Sequence, residues 1–184
     1  MAVQATRPAK PFRFEDLEGM PDDGYRREII GGSLIVTPAT NLGHQRACGV
    51  LYAQLFAAET AQTMVIAAPC EWRLPDGGSV QPDVLVISRE DFEAGGPLGP
   101  TATPLLVVEI LSPSNADQDL SVKRHLYESL RVPAYWIVDV TVPSITVLRL
   151  SDGGYTDDAE VTGHDELVAD WPFPVRVVPS RLTT

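Results

Sequence analysis

Two acidic residues interrupt apolar segments in which carboxylates are rarely found. Glu109 lies inside the run Leu-Leu-Val-Val-Glu-Ile-Leu at 105–111, and Asp83 opens the run Asp-Val-Leu-Val-Ile at 83–87. Such runs are typical of strands that are buried on both faces. A buried carboxylate is normally paired or bound to a metal, because leaving it unpaired is costly. The two positions therefore predict a site for a hard cation such as Mg²⁺.

A lysine on the apolar face of a predicted helix is the third candidate. At about 100° per residue, five apolar residues of the helix 117–130 share one arc. They are Leu120, Val122, Leu126, Tyr127 and Leu130. Lys123 falls near the middle of that arc, so we expect its side chain to point toward the sheet. The alternative is a surface pair between Lys123 and Asp119, worth a few tenths of a kcal/mol, which would not require the apolar face.

Three further polar residues are candidates for supporting roles. His44 begins a second predicted helix, 43–59, and lies on its apolar arc, so it is either a core histidine or part of the site. Glu28 lies in a predicted hairpin strand, where a charge can also be harmless. Gln81 shares the face of Asp83 because side chains alternate along a strand.

The elements that must position these residues follow from periodicity and turn signals. We predict a short helix 14–19, a hairpin 27–30 and 34–36, the helix 43–59, strands 64–74 and 79–87 around a turn 75–78, a loop 91–104, the Glu109 strand, the helix 117–130, strands 134–139 and 145–150, and a tail that wraps the sheet edge. This order predicts an α/β (α+β) fold with a mixed central β-sheet flanked by helices and an N-terminal hairpin. We expect residues 1–13 to form a flexible arm and 14–184 a single domain.

Composition narrows the classes of protein that fit. The chain has 184 residues, 44% of them hydrophobic and 21% charged, as is usual for a soluble globular protein. We expect no membrane span and no signal peptide, and Cys48 and Cys70 then indicate free thiols in a cytoplasm. The net charge of −11 argues against non-specific adhesion to nucleic acid. P-loop, GxGxxG, GxSxG and HExxH motifs do not occur in the sequence.

Six segments, in this order and context, resemble a known nuclease family. They are Glu28-Ile29-Ile30-Gly31-Gly32, His44, Gln81-Pro82-Asp83-Val84, Val108-Glu109-Ile110-Leu111-Ser112-Pro113-Ser114, Lys123 with Tyr127, and Tyr135-Trp136-Ile137-Val138-Asp139. Asp83, Glu109 and a nearby lysine resemble the PD-(D/E)XK nuclease core. The whole set, spanning about residues 25–150, resembles the Uma-two family of restriction-type endonucleases.

The resemblance implies a restriction-endonuclease-like core and metal-dependent hydrolysis of phosphodiester bonds in nucleic acid, with DNA as the expected substrate. The implied ion is Mg²⁺, with Mn²⁺ as the alternative. Asp83, Glu109 and the carbonyl of Ile110 would hold the ion. Lys123 would orient the attacking water or offset the charge that develops on phosphorus. The residues that would support this site are Glu28, His44, Gln81 and Tyr127.

The chain departs from the family pattern at three positions. The lysine that often follows the glutamate by two residues is Leu111, so the resemblance passes its role to Lys123. A glycine before the strand 134–139 is replaced by Arg131. The glutamate frequently found after the hairpin glycine is Ser33. The last two changes affect turns more than chemistry.

Three functions remain open on the sequence alone. The first is a metal-dependent nuclease, and the second is a non-catalytic binding or scaffold module of the same fold. The third is a metal-dependent hydrolase of a smaller phosphate ester. An intact set of Asp83, Glu109 and Lys123 favours activity, whereas the acidic charge favours the second or third function. The resemblance and the predicted open sheet edge after Asp139 also predict a homodimer.

Overall fold

The computed structural model describes residues 4–6, 10–38, 40–95, 102–111 and 116–184, with the backbone alone for 4–6 and 116–119. The strands of the described part are β1 Gln4–Thr6, β2 Arg26–Ile30, β3 Ser33–Thr37, β4 Thr63–Ala67, β5 Trp72–Arg73, β6 Ser79–Val80, β7 Val84–Ser88, β8 Leu106–Leu111, β9 Ala134–Asp139, β10 Ser144–Ser151, β11 Gly154–Thr162, β12 Leu167–Ala169 and β13 Val175–Val177. The helices are α1 Leu42–Ala58, α2 Arg89–Ala94 and α3 Ala116–Ser129, with 3₁₀ turns at Phe14–Leu17 and Pro179–Leu182.

The large sheet has six strands in the order β11-β10-β9-β8-β7-β4. β8 and β9 are parallel, and every other neighbouring pair in this sheet is antiparallel. A parallel pair needs a crossover connection, which α3 provides between β8 and β9. Val84 lies opposite Val108 in the antiparallel β7–β8 pair. Asp83, one residue before β7, therefore comes beside Glu109.

The small sheet has five strands in the order β1-β3-β2-β6-β5. Its β2–β3 hairpin turns at Gly31 and Gly32, whose φ angles of 56° and 74° favour glycine. The hairpin predicted from the sequence is confirmed. β2 pairs on its other side with β6, where Ile29 lies opposite Ser79.

The two faces of the large sheet have different partners, as the alternation along β8 shows. Leu106, Val108 and Ile110 join a core cluster with α1 residues, whereas Val107 joins a second cluster with Tyr127 of α3. Trp72 and Val80 of the small sheet belong to that second cluster as well. Because side chains alternate, Glu109 shares the face of Val107. It therefore points toward α3 and the small sheet.

Helix α1 confirms the predicted helix 43–59 to within one residue at each end. The side chain of Asn41 accepts a hydrogen bond from the His44 amide at 2.9 Å, which caps the first turn. The buried residues of α1 recur at intervals of three and four, as a helix with one apolar face requires. They are His44, Ala47, Cys48, Leu51 and Leu55.

Helix α3 confirms the predicted helix 117–130, but one residue of the predicted arc lies elsewhere. Val122 is 40% exposed, so the buried stripe is narrower than the hydrophobicity pattern indicated. Lys123 and Tyr127 form the buried stripe, with 2% and 0% of their surface exposed. After the helix, Arg131 adopts a left-handed conformation with φ 60°. This is the residue that stands where the family pattern has glycine.

Two predicted strands and one predicted loop are wrong in their extent. The strand 64–74 is divided into β4 and β5, which belong to different sheets, and 79–87 is likewise divided into β6 and β7. Pro69 and Pro82 lie at the two breaks, and proline cannot donate a backbone hydrogen bond to a ladder. Of the loop 91–104, the first residues continue helix α2, and 96–101 lie outside the described residues.

The C-terminal tail also differs from its prediction. β11, which the sequence pattern did not predict, pairs with β10 and forms the sheet edge. The tail after it does not wrap this edge. β12 and β13 form a two-stranded sheet whose Leu167, Val175 and Val177 are buried in the α1-side core. The alternation of these apolar residues explains why the tail covers a face of the large sheet.

The remaining expectations concern the N-terminus, membranes and thiols. Residues 1–3 and 7–9 of the predicted arm lie outside the described residues, β1 pairs with β3, and the Phe12 amide donates to the Gly32 carbonyl at 2.9 Å. The division into arm and domain stays a prediction. Among the described helices, none has the length and apolar character needed to cross a membrane. Cys48 and Cys70 are free cysteines.

Candidate active site

Asp83 lies at the start of β7 and is surrounded by hydrogen-bond donors. Its Oδ1 accepts from Nη1 of Arg26 at 3.0 Å. Its Oδ2 lies 3.1 Å from Nε2 of His44 and accepts from the backbone amide of Ile110 at 2.8 Å. The side chain is 3% exposed, so these donors replace the water that an exposed carboxylate would bind.

Glu109, on the neighbouring strand β8, contacts helix α3. Its Oε1 lies 2.9 Å from Nζ of Lys123 and accepts from the Tyr127 hydroxyl at 2.6 Å. Lys123 and Tyr127 are four residues apart, which places both on one face of α3. The inward orientation of Lys123 predicted from the sequence is confirmed, because Lys123 is buried. The side chain of Asp119, its partner in the alternative, lies outside the described residues.

Glu28 links the small sheet to this site. Its Oε1 accepts from the backbone amide of Gln81 at 2.9 Å and lies 3.2 Å from Nζ of Lys123. Its Oε2 lies 3.9 Å from Nε of Arg26 and has no hydrogen-bond partner in the described part of the chain. Glu28 is fully buried. It therefore joins Arg26 and Lys123 through one carboxylate.

Together these contacts form an alternating chain of charges. Its members in order are Asp83, Arg26, Glu28, Lys123 and Glu109, and each ion pair joins neighbours in that order. Three carboxylates alternate with two cations, so the chain carries one surplus negative charge when all five groups are ionised. Its two ends are both carboxylates, and they lie on adjacent strands. No cation of the described residues forms an ion pair that closes the chain between them.

The environment of Asp83 favours its ionised form. Burial alone would raise the pKa of this carboxyl group. The hydrogen bond with His44 and the charge of Arg26 outweigh burial and hold the pKa below its ordinary value of 3.8. The Ile110 amide contributes in the same direction. Asp83 is therefore negatively charged across the neutral range of pH.

Glu109 behaves in the opposite way. Burial raises its pKa from 4.5 to about 7, and Lys123 offsets only part of this shift. The charges of Asp83 and Glu28 raise the pKa further, which means that the three carboxylates repel one another. Burial likewise raises the pKa of the Tyr127 hydroxyl well above 10, so Tyr127 remains a hydrogen-bond donor.

A pocket of about 450 Å³ opens beside Asp83. Its walls include Arg26, His44 and Gln81, together with the partly exposed ring of Tyr25. His44 stands at the beginning of α1, where the positive end of the helix dipole faces the site. Lys123 and Glu109 are not among the wall residues. Access from the surface therefore leads to the Asp83 end of the charge chain.

The structure brings together the residues that the sequence selected. Asp83, Glu109 and Lys123 share one site, and Glu28, His44 and Tyr127 each contact one of those three residues directly. Gln81 takes part through its backbone, which donates to Glu28 and accepts from Arg26. Ile110 contributes its amide, and the ligand role of its carbonyl stays a prediction.

One residue of the site was missed by the sequence analysis. Arg26 contacts Asp83 and Glu28, yet in the sequence it is one of two adjacent arginines at the start of a hairpin. Strand alternation places Arg26 on the same face of β2 as Glu28. That spacing was the available signal, but its significance depends on the pairing of β2 with β6.

The capacity of the site for a metal can be judged from its donors. The described residues contain no group of three or more His, Cys, Asp or Glu side chains that could hold a metal ion. A cation here would rely on Asp83 and Glu109, a main-chain oxygen and water. Mg²⁺ is commonly bound through one or two carboxylates while it keeps several waters. The mutual repulsion of the two carboxylates fits such a cation, because a positive charge between them would relieve it.

Comparisons with known proteins agree with this fold. The chain is similar to a crystal structure of a putative nuclease belonging to DUF820 from Anabaena variabilis, with a TM-score of 0.76 and 15% sequence identity. The match covers 94% of this chain and 98% of that one. This likeness shows the shared fold. No curated protein matches the chain.

The family comparison covers nearly the whole molecule. Residues 13–178 match the Uma2 family, which is described as "Putative restriction endonuclease". The matched range includes all five members of the charge chain and every strand of the large sheet. The resemblance to the Uma-two family seen in the sequence is thereby confirmed. The chain belongs to the Uma2 family of putative restriction endonucleases.

Proposed function

We propose that this chain is a metal-dependent endonuclease that hydrolyses phosphodiester bonds in nucleic acid, with DNA as the expected substrate. The observation that carries the proposal is the gap between the two carboxylates that end the charge chain, Asp83 and Glu109. Asp83 directly precedes β7, and Glu109 lies on the adjacent strand β8. Both are buried, and the charge of Asp83 raises the pKa of Glu109. Such a pair favours a cation between its members.

Asp83 and Glu109 would hold Mg²⁺ or Mn²⁺, helped by the carbonyl of Ile110. A divalent cation, when bound, polarises the phosphate and lowers the pKa of the attacking water. The protein's contribution is to keep Asp83 ionised and to hold both carboxylates in place. Arg26, His44 and the Ile110 amide fix Asp83. Lys123 and Tyr127 fix Glu109 from the opposite side.

Lys123 has a second role in this proposal. Its ammonium group is buried, and it lies beside the carboxylate that would face the substrate phosphate. A fixed positive charge in a site with little water stabilises negative charge that develops on the phosphate oxygens. Glu28 positions this ammonium at 3.2 Å from its own carboxylate.

The acidic surface of the protein limits how it can approach nucleic acid. With 25 acidic and 14 basic residues, the chain does not favour tight non-specific binding. The same charge favours an alternative function, a metal-dependent hydrolase of a smaller phosphate ester, because that substrate carries fewer charges. The pocket beside Asp83 could admit either substrate. We also propose a homodimer and a cytoplasmic location, in line with the sequence analysis.

A metal titration tests the proposal most directly. Calorimetry with MgCl₂ should give saturable binding to the wild-type protein and no binding to Asp83→Asn or Glu109→Gln. A cleavage assay with duplex and single-stranded DNA should then show activity that depends on Mg²⁺ and is lost in both variants. Metal binding without cleavage of any DNA, but with hydrolysis of a mononucleotide ester, would favour the hydrolase of a smaller phosphate ester over the nuclease. No metal binding by the wild-type protein would overturn both.

A further inference from the structure

We infer that Arg26 binds a phosphate of the substrate, and that the pocket beside Asp83 receives that phosphate. The ligand class is a phosphodiester, or the phosphate group of a smaller ester. The inference rests on the proposed function, because it treats Arg26 as the substrate-binding neighbour of a cation site. It concerns a residue to which the resemblance assigns no role.

The two cations of the charge chain differ in their exposure to solvent. Arg26 forms part of the pocket wall, and its side chain is 18% exposed. Lys123 has 2% of its side chain exposed and does not line the pocket. A ligand that enters from the surface therefore meets the Arg26 guanidinium first. The planar guanidinium group matches the geometry of phosphate oxygens with two parallel hydrogen bonds.

The present contacts of Arg26 indicate how it would be released. Nη1 donates to Asp83 Oδ1 at 3.0 Å and to the Gln81 carbonyl at 3.2 Å. A divalent cation at Asp83 competes with Arg26 for the same carboxylate charge, because two cations near one anion also repel each other. Cation binding would therefore weaken the Arg26–Asp83 pair. The guanidinium then has donors available for a phosphate in the pocket.

The other charged groups on the pocket wall partly oppose each other. Asp22 is exposed at the rim and, like Asp83 on the same wall, repels an anion. The beginning of α1, with His44 and Gln45 on the wall, presents the positive end of a helix of 17 residues. Among the described wall residues, Arg26 is the one whose side chain carries a permanent positive charge. It is thus the group on which anion binding in this pocket depends.

The test uses the full chain with Arg26→Gln, and Arg27→Gln as the matched control. Arg27 lies next to Arg26 but is paired with Asp23 and does not line the pocket. Binding of MgCl₂ is measured by calorimetry. Binding of a fluorescein-labelled phosphorothioate DNA, which slows cleavage, is measured by anisotropy with Mg²⁺ present. Inorganic phosphate and a mononucleotide serve as competitors.

We expect Arg26→Gln to weaken DNA binding about tenfold or more, the usual effect of losing a hydrogen bond to a charged group. The same change should strengthen Mg²⁺ binding, because the competitor for Asp83 is gone. Arg27→Gln should alter neither affinity by more than about twofold. Competition by the mononucleotide that depends on Arg26, without DNA binding, would assign the pocket to a smaller phosphate ester.

Two outcomes would overturn the inference. Unchanged affinity of Arg26→Gln for every phosphate probe would show that Arg26 binds none of them. Loss of Mg²⁺ binding in this variant would show that Arg26 merely supports Asp83. If circular dichroism shows that Arg26→Gln is unfolded, Arg26→Lys replaces it in the test. This variant keeps the positive charge but lacks the planar guanidinium group. It should therefore bind phosphate more weakly while it retains Mg²⁺ binding. Mg²⁺ binding by the wild-type protein with no binding of any phosphate would reject the inference alone, and absence of both would reject the proposed function as well.

Discussion

The ammonium group of Lys123 lies 2.9 Å from the Glu109 carboxylate, although 14 residues separate them and one is on a helix and the other on a strand. Lys123 is also 3.2 Å from Glu28. One cation thus serves two buried carboxylates from different sheets. Removing it would leave both without their shared counter-charge, which makes Lys123 important for stability as well as for the proposed chemistry.

We predict that Lys123→Met lowers turnover about 100-fold, the usual effect of losing one group that stabilises the transition state. It should also lower the free energy of unfolding by about 3 kcal/mol, because it leaves the buried Glu109 carboxylate without its ion-pair partner. Cleavage assays and urea denaturation at pH 8 measure the two effects. Arg124→Met, one residue further along α3, should change neither appreciably. Full activity of Lys123→Met would remove Lys123 from the mechanism.

The raised pKa of Glu109 predicts how the stability of the metal-free protein depends on pH. Between the ordinary pKa of 4.5 and the folded value of about 7, the folded protein holds a proton that the unfolded chain has released. Stability therefore falls as pH rises through this interval. The expected loss is on the order of 3 kcal/mol, at 1.4 kcal/mol per pKa unit.

Urea denaturation from pH 4 to pH 8 measures this dependence. The free energy of unfolding of Glu109→Gln should depend less on pH than that of the wild-type protein, and it should be higher at pH 8. Glu71, whose pKa burial also raises, contributes in the same direction, so Glu71→Gln is the appropriate control. Parallel profiles for the wild-type protein and Glu109→Gln would contradict a raised pKa at Glu109.

Asp83 should respond to substitution in the opposite sense. Its pKa is lowered, so its contribution to stability is present above pH 3.8 and is lost as the pH falls below that value. We predict that Asp83→Asn is about 3 kcal/mol less stable than the wild-type protein at pH 7, because Arg26 loses a buried partner. Urea denaturation at pH 7 compares Asp83→Asn with Glu109→Gln. Equal free energies of unfolding for the two variants would contradict the prediction that the two carboxylates act in opposite directions.

The conformation of Arg131 predicts a stabilising substitution. Its φ of 60° lies in the left-handed region, and the Val132 amide donates to the Tyr127 carbonyl at 3.0 Å to close the end of α3. A left-handed residue at this position favours glycine. We predict that Arg131→Gly raises the free energy of unfolding by about 1 kcal/mol. Thermal unfolding measures the gain, with Ser129→Gly in the last turn of α3 as a destabilising control.

The predicted homodimer requires a different surface from the one first considered. The open edge expected after Asp139 is covered by β11 of the same chain, and β11 carries the exposed Asp157 and Asp158. Acidic residues on an edge oppose pairing with a second edge. We predict a dimer by light scattering at micromolar concentration that persists in Asp158→Lys. A monomer under these conditions would reject the prediction.

Periodicity explains what the sequence could predict. The hairpin, α1, α3 and β8 have patterns that local spacing determines, and the same spacing placed Glu109 and Lys123 inward. The division of 64–74 and 79–87 between two sheets was not predictable from a local pattern, because short apolar runs do not specify their partners. β11 was missed because its residues are mostly polar and exposed, as an edge strand allows.

The contacts within the site depend on pairing between distant parts of the chain. Arg26 and Asp83 are 57 residues apart, and His44 and Asp83 are 39 apart. The residue types suggested a site, but the direction of each hydrogen bond follows from how β2 meets β6 and how β7 meets β8. That is why the alternating order of charges emerged only from the structure.

The placement of Glu28 on β2 and of Lys123 on α3 has a consequence during synthesis. Glu28 emerges from the ribosome early, whereas Lys123 is synthesised 95 residues later (123 − 28). Until α3 emerges and packs, Glu28 and Glu109 lack the counter-ion that they share. A nascent chain whose α3 has not yet emerged therefore lacks the ion pairs on which the proposed site depends. The proposed site can assemble only after most of the domain has left the exit tunnel.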